Sequence, residues 1–579
     1  MTGLSIKDTI WTLRGLNGNP KSEISQSLPQ SNSSQTHPMQ HLIVEQQKRF
    51  LSTLNNQSKS LDEAVLEYRH RYSIPPPPKF HIWYEYAKTH DVQLIDEFDS
   101  LHQMLTPFWA LDPKTLRSRV KEALGFKENN LLAVLIRDGS ISFVQEGNST
   151  EIGWMRDAIT NMLSDFVHHL PDMDLAFNLH DEPRIILPND QLTRLLNGAT
   201  SKIMALASSN SRLQYSFSHR PSDMNSGRAI EDVRVSRFNR FSRQNSWSHS
   251  RISCPLDSAA RSIGDSATDD TNAWAYGNLS FVKNATEFTD ICSSPSLQNS
   301  HGFFERPNVF NIAQDLIPIF SQSKVSSFQD ILYPSPWYWA RKVKYDSNTD
   351  VPFEKKNSSI YWRGSTTGGY SRKGGWRRQH RQSIVRALNN PETSAKVLVQ
   401  DVNQNDTWQE TPLQNGVSSP SRLIDVAFTH IGQCDLSDCA AQQEFFEVRE
   451  QEPQWNAWRS KLALDMDGNA FSGRFHALLS SSSAVAKMAV FREWWSDWIW
   501  PWVHYVPLSV QGNEWWEVIR WFLDDEEGLK AAEAVGMAGK QWSSASFRKE
   551  DMQAWMFRLL LEYGRLIDDN REAIGFSGA

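Results

Sequence analysis

Three separated stretches of the chain hold side chains suited to chemistry. The first is Asp181, flanked by His180 and Glu182, directly after the apolar run 174–178. A carboxylate delivered by a strand end can act as a general base towards a hydroxyl; the plainer alternative is an Asp that caps a turn. The second runs from Tyr361 as YWRGSTTGGYSRKGGWRR. Gly364 and its neighbouring glycines let backbone approach an anion closely, Ser365 donates a hydrogen bond, and Arg363 and Arg372 can pair bidentately with phosphate oxygens. Neither the dinucleotide fingerprint nor the P-loop pattern is present, so composition alone leaves an ordinary glycine-rich surface loop open. The third begins at Asp465 as DMDGNAFSGRF and continues through Ser480, Ser481, Ser482 and Ser483 to Glu493. Asp467-Gly468 predicts a tight turn that re-aims the chain so that Arg474 projects across a cleft. The four serines are expected to cap a helix from about Ala484 to Trp498, whose free N–H groups and dipole would hold an anion, with Glu493 further along at a distance suited to a ribose.

The elements that must position these residues follow from periodicity. Apolar runs at 131–136 and 141–144, joined by Arg137-Asp138-Gly139-Ser140, predict a hairpin, because Asp-Gly accommodates positive φ. A helix is expected over about 154–169, then the buried strand that leads to Asp181. From Ser359 the pattern becomes strand, loop and helix in repetition: a helix over about 377–388 and strands at 396–400 and 423–428. Such alternation predicts a parallel sheet flanked by helices. The stretch from about Glu514 reads as amphipathic helix rich in Trp and Leu.

At 579 residues the chain exceeds one hydrophobic core, so two domains and an irregular N-terminal region are expected. Residues 1–43 form the irregular segment, 44–80 a helix and proline spacer, 81–355 a first domain and 356–579 a second. The Ser/Arg-rich segment 207–270 reads as a partly disordered insertion in the first domain. With 60 Lys and Arg against 67 Asp and Glu, the net charge of −7 is mild and argues against a nucleic-acid or anionic-membrane surface. No apolar window is long enough for a membrane helix, and the first seventeen residues lack the apolar centre of a secretory leader. Four cysteines give no zinc spacing, though two bridges remain open. Seven N-x-Ser/Thr sequons, at Asn32, Asn56, Asn148, Asn278, Asn284, Asn357 and Asn405, would suit a lumenal protein.

Together these segments resemble glycosyltransferase family 90, the fungal capsule-associated protein family related to animal protein O-glucosyltransferases. The resemblance rests on YWRGSTTGG from Tyr361, DMDGNAFSGRF from Asp465, SSSSAVAKM from Ser480 and WVHYVPL from Trp502. LPDMDLAFNLHDEPR from Leu170 and PFWALDP from Pro107 add to it. It implies an α/β, GT-B-like architecture, in which two Rossmann-like domains face each other across a cleft. It further implies inverting transfer of glucose or xylose from a UDP-sugar to a hydroxyl of a glycan or glycoprotein, with no metal or other cofactor, in the secretory pathway lumen. Asp181 would then be the catalytic base, matching the family's Asn-x-x-Asp-x-Pro pattern as Asn178, Asp181 and Pro183. Arg363, Ser365 and Arg474 would bind the diphosphate together with Gly364 and Arg372 of the same loop, Ser480 to Ser483 would assist, and Glu493 would hold the ribose. The alternative is a non-catalytic glycan-binding or scaffold protein that retains the fold.

Overall fold

The computed structural model describes residues 36–145, 150–210, 212–241, 243–262, 268–401, 407–417 and 419–578. Helix starts earlier than composition suggested, at α1 (Pro38–Asn55), where proline fills a first-turn position that needs no N–H and the His37 ring accepts from Met39 N. Residues 1–35 of the expected irregular segment lie outside the described residues. The His37 ring also meets the Glu517 carboxylate at 2.8 Å, which ties α1 to the far end of the chain.

After α2 (Phe80–Thr89), the first sheet opens with β1 (Leu131–Arg137) and β2 (Ser140–Val144). Their turn is the expected one, with Asp138 at φ 49° and Gly139 at φ 70°. Next come α3 (Thr150–Leu163), β3 (Met173–Asn178), and three two-residue strands: β4 (Phe320–Ser321), β5 (Ser323–Lys324) and β6 (Ile331–Leu332). The spatial order is β6-β4-β3-β1-β2. Here the structure departs from the Rossmann-like expectation: β1 runs antiparallel to both its neighbours, while β4 and β6 run parallel to β3. The turn forces the β1–β2 pair to be antiparallel, since a two-residue turn can only join antiparallel strands.

The second sheet is parallel throughout. Its strands are β7 (Asn357–Ser365), β10 (Ile424–His430), β11 (Ser460–Met466), β12 (Ala484–Met488) and β14 (Val506–Leu508), in the order β10-β7-β11-β12-β14. Between them lie α4 (His380–Asn389), a separate hairpin of β8 (Lys396–Asp401) and β9 (Thr407–Pro412), and α5 (Phe475–Leu479). Numbered within the sheet, this is the order 2-1-3-4-5, a doubly wound arrangement whose winding reverses between β7 and β11. In such sheets the crevice at the carboxyl ends of the two strands flanking the reversal is the place for a ligand, because the connections leave in opposite directions there. Both strands end in the motifs singled out above: β7 at Ser365, β11 just before Asp467.

The sequence 484–488 is not the start of a helix. It is a strand buried on both faces, with Leu462 opposite Ala484 and Ala486 opposite Val506. A strand sandwiched between helices carries a continuous apolar run, and over so few residues nothing in its period separates it from a buried helix. The two-residue β13 (Arg492–Glu493) follows and pairs antiparallel with β5, so a strand of each half of the molecule meets one of the other.

The chain closes with α6 (Trp515–Asp524), α7 (Glu526–Ser546) and α8 (Lys549–Leu566). Although it follows the second sheet, α8 packs back on the first: Ala554 O accepts from the Trp83 indole of α2 at 2.9 Å. A β-carbon on Gly564 would lie 2.7 Å from Pro171, so glycine there permits the close approach. The 207–270 segment, apart from residues 211, 242 and 263–267, which lie outside the described residues, is anchored. Trp247 is buried, Arg117 pairs with Asp223 at 2.6 Å, and a disulfide joins Cys254 to Cys292. A second disulfide joins Cys434 to Cys439. Among the described residues no helix is long and apolar enough to cross a membrane.

Candidate functional site

The crevice at the reversal is built by three loops. The first follows β7. Gly364 lies where a β-carbon would come 2.5 Å from the Trp362 ring, so its bareness lets that indole fold along the strand. Ser365 and Thr367 share a hydroxyl contact of 2.9 Å, and Thr366 is held by an exchange of bonds with Gly432. Gly368, at φ 114°, threads between His380 and Gly302; a β-carbon on Gly302 would sit 2.2 Å from Gly368 O. That close approach is why the loop is glycine-rich.

The second loop follows β11. Asp465 accepts from Lys487 at 2.8 Å and from the Ser472 hydroxyl, while Asp467 accepts from the N–H groups of Val490 and Phe491 at 2.7 and 3.1 Å. Both carboxylates therefore organise backbone and a buried ion pair. Burial raises the Asp467 pKa to about 6. Among the described residues no group of three or more His, Cys, Asp and Glu forms a metal-ligand set. The turn delivers Arg474 as expected. Its Nη1 donates to Arg363 O at 2.6 Å, and its guanidinium lies 5.6 Å from the Trp362 ring centroid.

Beside Arg474 stands Arg381, a residue the sequence reading missed. From the first turn of α4, Arg381 donates to Asp467 O at 2.7 Å, to Ser365 O at 3.1 Å and to the Thr367 hydroxyl at 2.9 Å, thereby joining the two loops. Its guanidinium lies 5.7 Å from the same Trp362 ring. Burial and then the charge of Arg474 pull its pKa down to about 9. Neither arginine has a carboxylate ion-pair partner among the described residues. Two close guanidiniums with no direct ion-pair partner, and with only Asp465 and Asp467 in the loop behind them, favour an anion at a strand-end crevice.

The third loop comes from the first sheet. β3 ends at Asn178, whose amide donates to Glu182 O and to the Ser321 hydroxyl and whose oxygen accepts from His180 N and the Arg184 guanidinium. This clamp fixes the turn that presents Asp181. The Asn469 side chain of the second loop lies beside the Asp181 carboxyl and favours its ionised form, and Asn469 Oδ1 accepts from Gly368 N at 3.4 Å. The cleft between the sheets is thus spanned at Asp181. Asp181 is exposed by surface area, and partial desolvation by the surrounding loops raises its pKa above the ordinary carboxylate value. Glu182 points away, accepting from Val309 N at 2.9 Å; burial first, then Asp181, raise its pKa to about 8. Both neighbouring carboxyls are shifted upward, and a pKa of about 8 leaves Glu182 largely protonated near neutral pH.

Several expected ligands are placed differently. Arg363 spends its guanidinium on Asp425 and Glu452, at 2.6 and 2.8 Å, and gives the site only its carbonyl. The pairing register breaks between Gly364 and Ser365, so the strand face carrying Arg363 does not continue into the loop. Arg372 is exposed and paired with Asp435 at 2.7 Å. Ser480 to Ser483 follow the C-terminal end of α5 and enter the amino end of β12, at the opposite edge of the sheet from the crevice. Ser480 and Ser481 donate to the carbonyls of His476 and Leu478, and Ser482 donates to Asp350. They cap no helix start. Glu493 lies on β13, beyond the carboxyl end of β12, buried and in contact with the Tyr338 hydroxyl at 2.9 Å through Oε2; among the described residues Oε1 has no hydrogen bond within range, with the Trp495 side chain near the carboxyl. Burial raises its pKa to about 8.

Residues 304–573 match Glycosyl transferase family 90. Over 284 residues the chain is 24% identical to Protein O-glucosyltransferase 1 of Rattus norvegicus, covering 46% of this chain and 61% of the relative. Over 261 residues it is 24% identical to O-glucosyltransferase rumi of Drosophila melanogaster, covering 43% and 55%. Against Protein O-glucosyltransferase 2 of Danio rerio it is 26% identical over 110 residues, 19% of this chain and 21% of the relative. The chain thus spans about three fifths of the length of the first of these relatives.

Proposed function

We propose, from the glycosyl transferase family 90 domain that this chain carries, that the protein transfers a sugar from a UDP-sugar to a hydroxyl of a glycan or glycoprotein, with inversion. The observation that carries this reading is the pair of guanidiniums without a direct ion-pair partner among the described residues, Arg381 and Arg474, at the β7/β11 crevice, with Asp181 beside Asn469 across the cleft. The diphosphate lies between the two arginines, Ser365 and Thr367. The Asp181 carboxylate removes the proton of the acceptor hydroxyl as its oxygen bonds to the anomeric carbon. The bond from that carbon to the diphosphate oxygen breaks, and the electron pair leaves with UDP. Charge growing on the leaving group meets donors already in place, the electrostatic role that a metal ion fills in other transferases. The Asp465 carboxylate being committed to Lys487 and the Ser472 hydroxyl, and Asp467 Oδ2 to backbone N–H groups, supports transfer without a metal. Glu493 offers its unpartnered oxygen to a ribose hydroxyl.

Two sheets meeting at this cleft support a GT-B-like arrangement in which the first half takes the acceptor. Glucose is the first donor to test, in view of the relatives' names, and xylose the second. Two disulfides and exposed Asn56, Asn278, Asn284 and Asn357 within sequons support passage through the secretory lumen. Asn32, Asn148 and Asn405 lie outside the described residues. Calorimetric titration with UDP, UDP-glucose and UDP-xylose in the absence of metal tests the site. Binding by the native chain that Arg474→Ala weakens is the expected result, and no binding by folded native protein would return the scaffold reading.

A further inference from the structure

The helix that begins beside Arg474, α5, also walls a second cavity of about 410 Å³, remote from the diphosphate crevice in its lining. This volume falls within the range of about 300–1,000 Å³ typical of small-molecule sites. Three segments distant in sequence close it: 338–345, the α5 end at 476–480, and the junction of α7 with α8 at 540–552.

The lining carries five cations against one carboxylate, Glu550, in a chain whose net charge is −7. Two of the five are already neutralised, Lys540 by Asp350 at 3.5 Å and Arg548 by Asp551 at 2.8 Å. Lys549 lies over the Trp339 ring, 4.5 Å from its centroid. Arg341 and Lys344 have no side-chain hydrogen bond or ion pair among the described residues. Like charges gathered in a concavity focus a field that an anion relieves.

The remaining wall is suited to something other than bare phosphate. Ser480 and Ser543 hydroxyls meet at 3.2 Å. The His476 imidazole, packed 4.4 Å from the Phe547 ring, is kept neutral by burial and then by Arg341, with its pKa lowered to about 4. A neutral ring donates through one nitrogen and accepts through the other, and hydroxyls do both, which matches the alternating donors and acceptors of a polyol. Tyr338 also lines the cavity, and its hydroxyl lies 2.9 Å from both Glu493 Oε2 and Ser472 O, residues that frame the donor crevice.

We propose that this cavity binds an anionic monosaccharide unit, a sugar ring bearing a phosphate or a carboxylate, with Arg341 and Lys344 holding the oxyanion and His476 with the Ser480/Ser543 pair holding the hydroxyls. The site is separate from the proposed donor site and does not depend on it. The test is calorimetric titration of the full chain, saturated with UDP, with four probes: glucose 6-phosphate, glucuronate, inorganic phosphate and glucose. At least one acidic sugar is expected to bind tenfold or more tightly than glucose and than inorganic phosphate. The double substitution Arg341→Gln with Lys344→Gln should weaken it at least tenfold while leaving the melting temperature and UDP titration unchanged. The two sugar arms distinguish phosphate from carboxylate as the anion. Acidic sugars binding no better than glucose or phosphate, or equally well to the double variant, would overturn the assignment. Should the native chain fail to bind UDP, the difference between native and double variant still decides the cavity.

Discussion

Under the proposed mechanism, replacing Asp181 by Asn should separate catalysis from binding. The carboxyl lies beside Asn469, and the substituted amide keeps its size and an oxygen facing that side chain, so the Asn469 bond from Gly368 N is left undisturbed. Arg381 and Arg474 make their bonds within the second half of the chain and do not touch Asp181. UDP affinity should therefore change less than about threefold, well under 1 kcal/mol. What the amide cannot do is take a proton. General-base catalysis contributes roughly 10²–10⁴-fold, so the turnover number should fall by about that factor, some 3–5 kcal/mol on the barrier. The pH profile supplies a second, independent reading. Burial raises the Asp181 pKa above its ordinary value, and the base works only when ionised. The native rate should therefore climb with pH through that raised pKa and fall as pH drops below it, and the variant should lose this acid limb. The assay is UDP release with UDP-glucose and a glycan or glycoprotein acceptor, run beside a UDP titration. Undiminished turnover, or an acid limb retained in Asp181→Asn, would refute the reasoning.

Other outcomes follow from the same geometry. Arg474→Ala removes one of two guanidiniums facing the diphosphate and should cost about 2 kcal/mol, roughly 30-fold in UDP affinity by calorimetry. Arg381→Lys keeps a charge but cannot span Asp467 O, Ser365 O and Thr367, so UDP affinity should drop by about tenfold or more despite the conserved sign. Gly302→Ala places a β-carbon 2.2 Å from Gly368 O and should destabilise the fold by about 1–3 kcal/mol in denaturant titration. Glu182 has its pKa raised from 4.5 to about 8, so the native fold retains a proton that the unfolded chain releases, and stability is lost as pH rises through this window. Glu182→Gln keeps an acceptor for Val309 N and should gain stability relative to the native chain between pH 5 and 8; no pH-dependent difference in the melting temperature would contradict it.

The strands at 357–365 and 424–430 and the helix between them were legible because they carry apolar runs between glycine- and serine-rich loops, whereas the strand at 396–401 left the parallel sheet to pair antiparallel with the polar Thr407–Pro412. The Asp-Gly hairpin and the strand before Asp181 were legible for the same local reasons. Where reading failed, the deciding force was tertiary. Residues 484–488 are buried on both faces by neighbours far along the chain, which erases the alternation that marks a half-exposed strand. With that strand read as a helix, the four serines became a helix start and Glu493 a helical residue. Arg381 was hidden among Arg372, Arg377 and Arg378: only the true start of α4, at His380, shows which guanidinium turns inward. Arg363 looked like a phosphate ligand because Asp425 and Glu452, its partners, lie 62 and 89 residues away. No local pattern announces that α8 returns to the first sheet, since an amphipathic helix states that it packs, not on what.

The most direct test of the account is a crystal structure with UDP bound. The diphosphate is expected between the Arg381 and Arg474 guanidiniums, within hydrogen-bonding distance of Ser365 or Thr367, with the ribose towards Glu493 and the position of the departing sugar facing Asp181. A diphosphate seated at Ser480 to Ser483, on Arg372, or anywhere that leaves both crevice arginines without an oxyanion would contradict it.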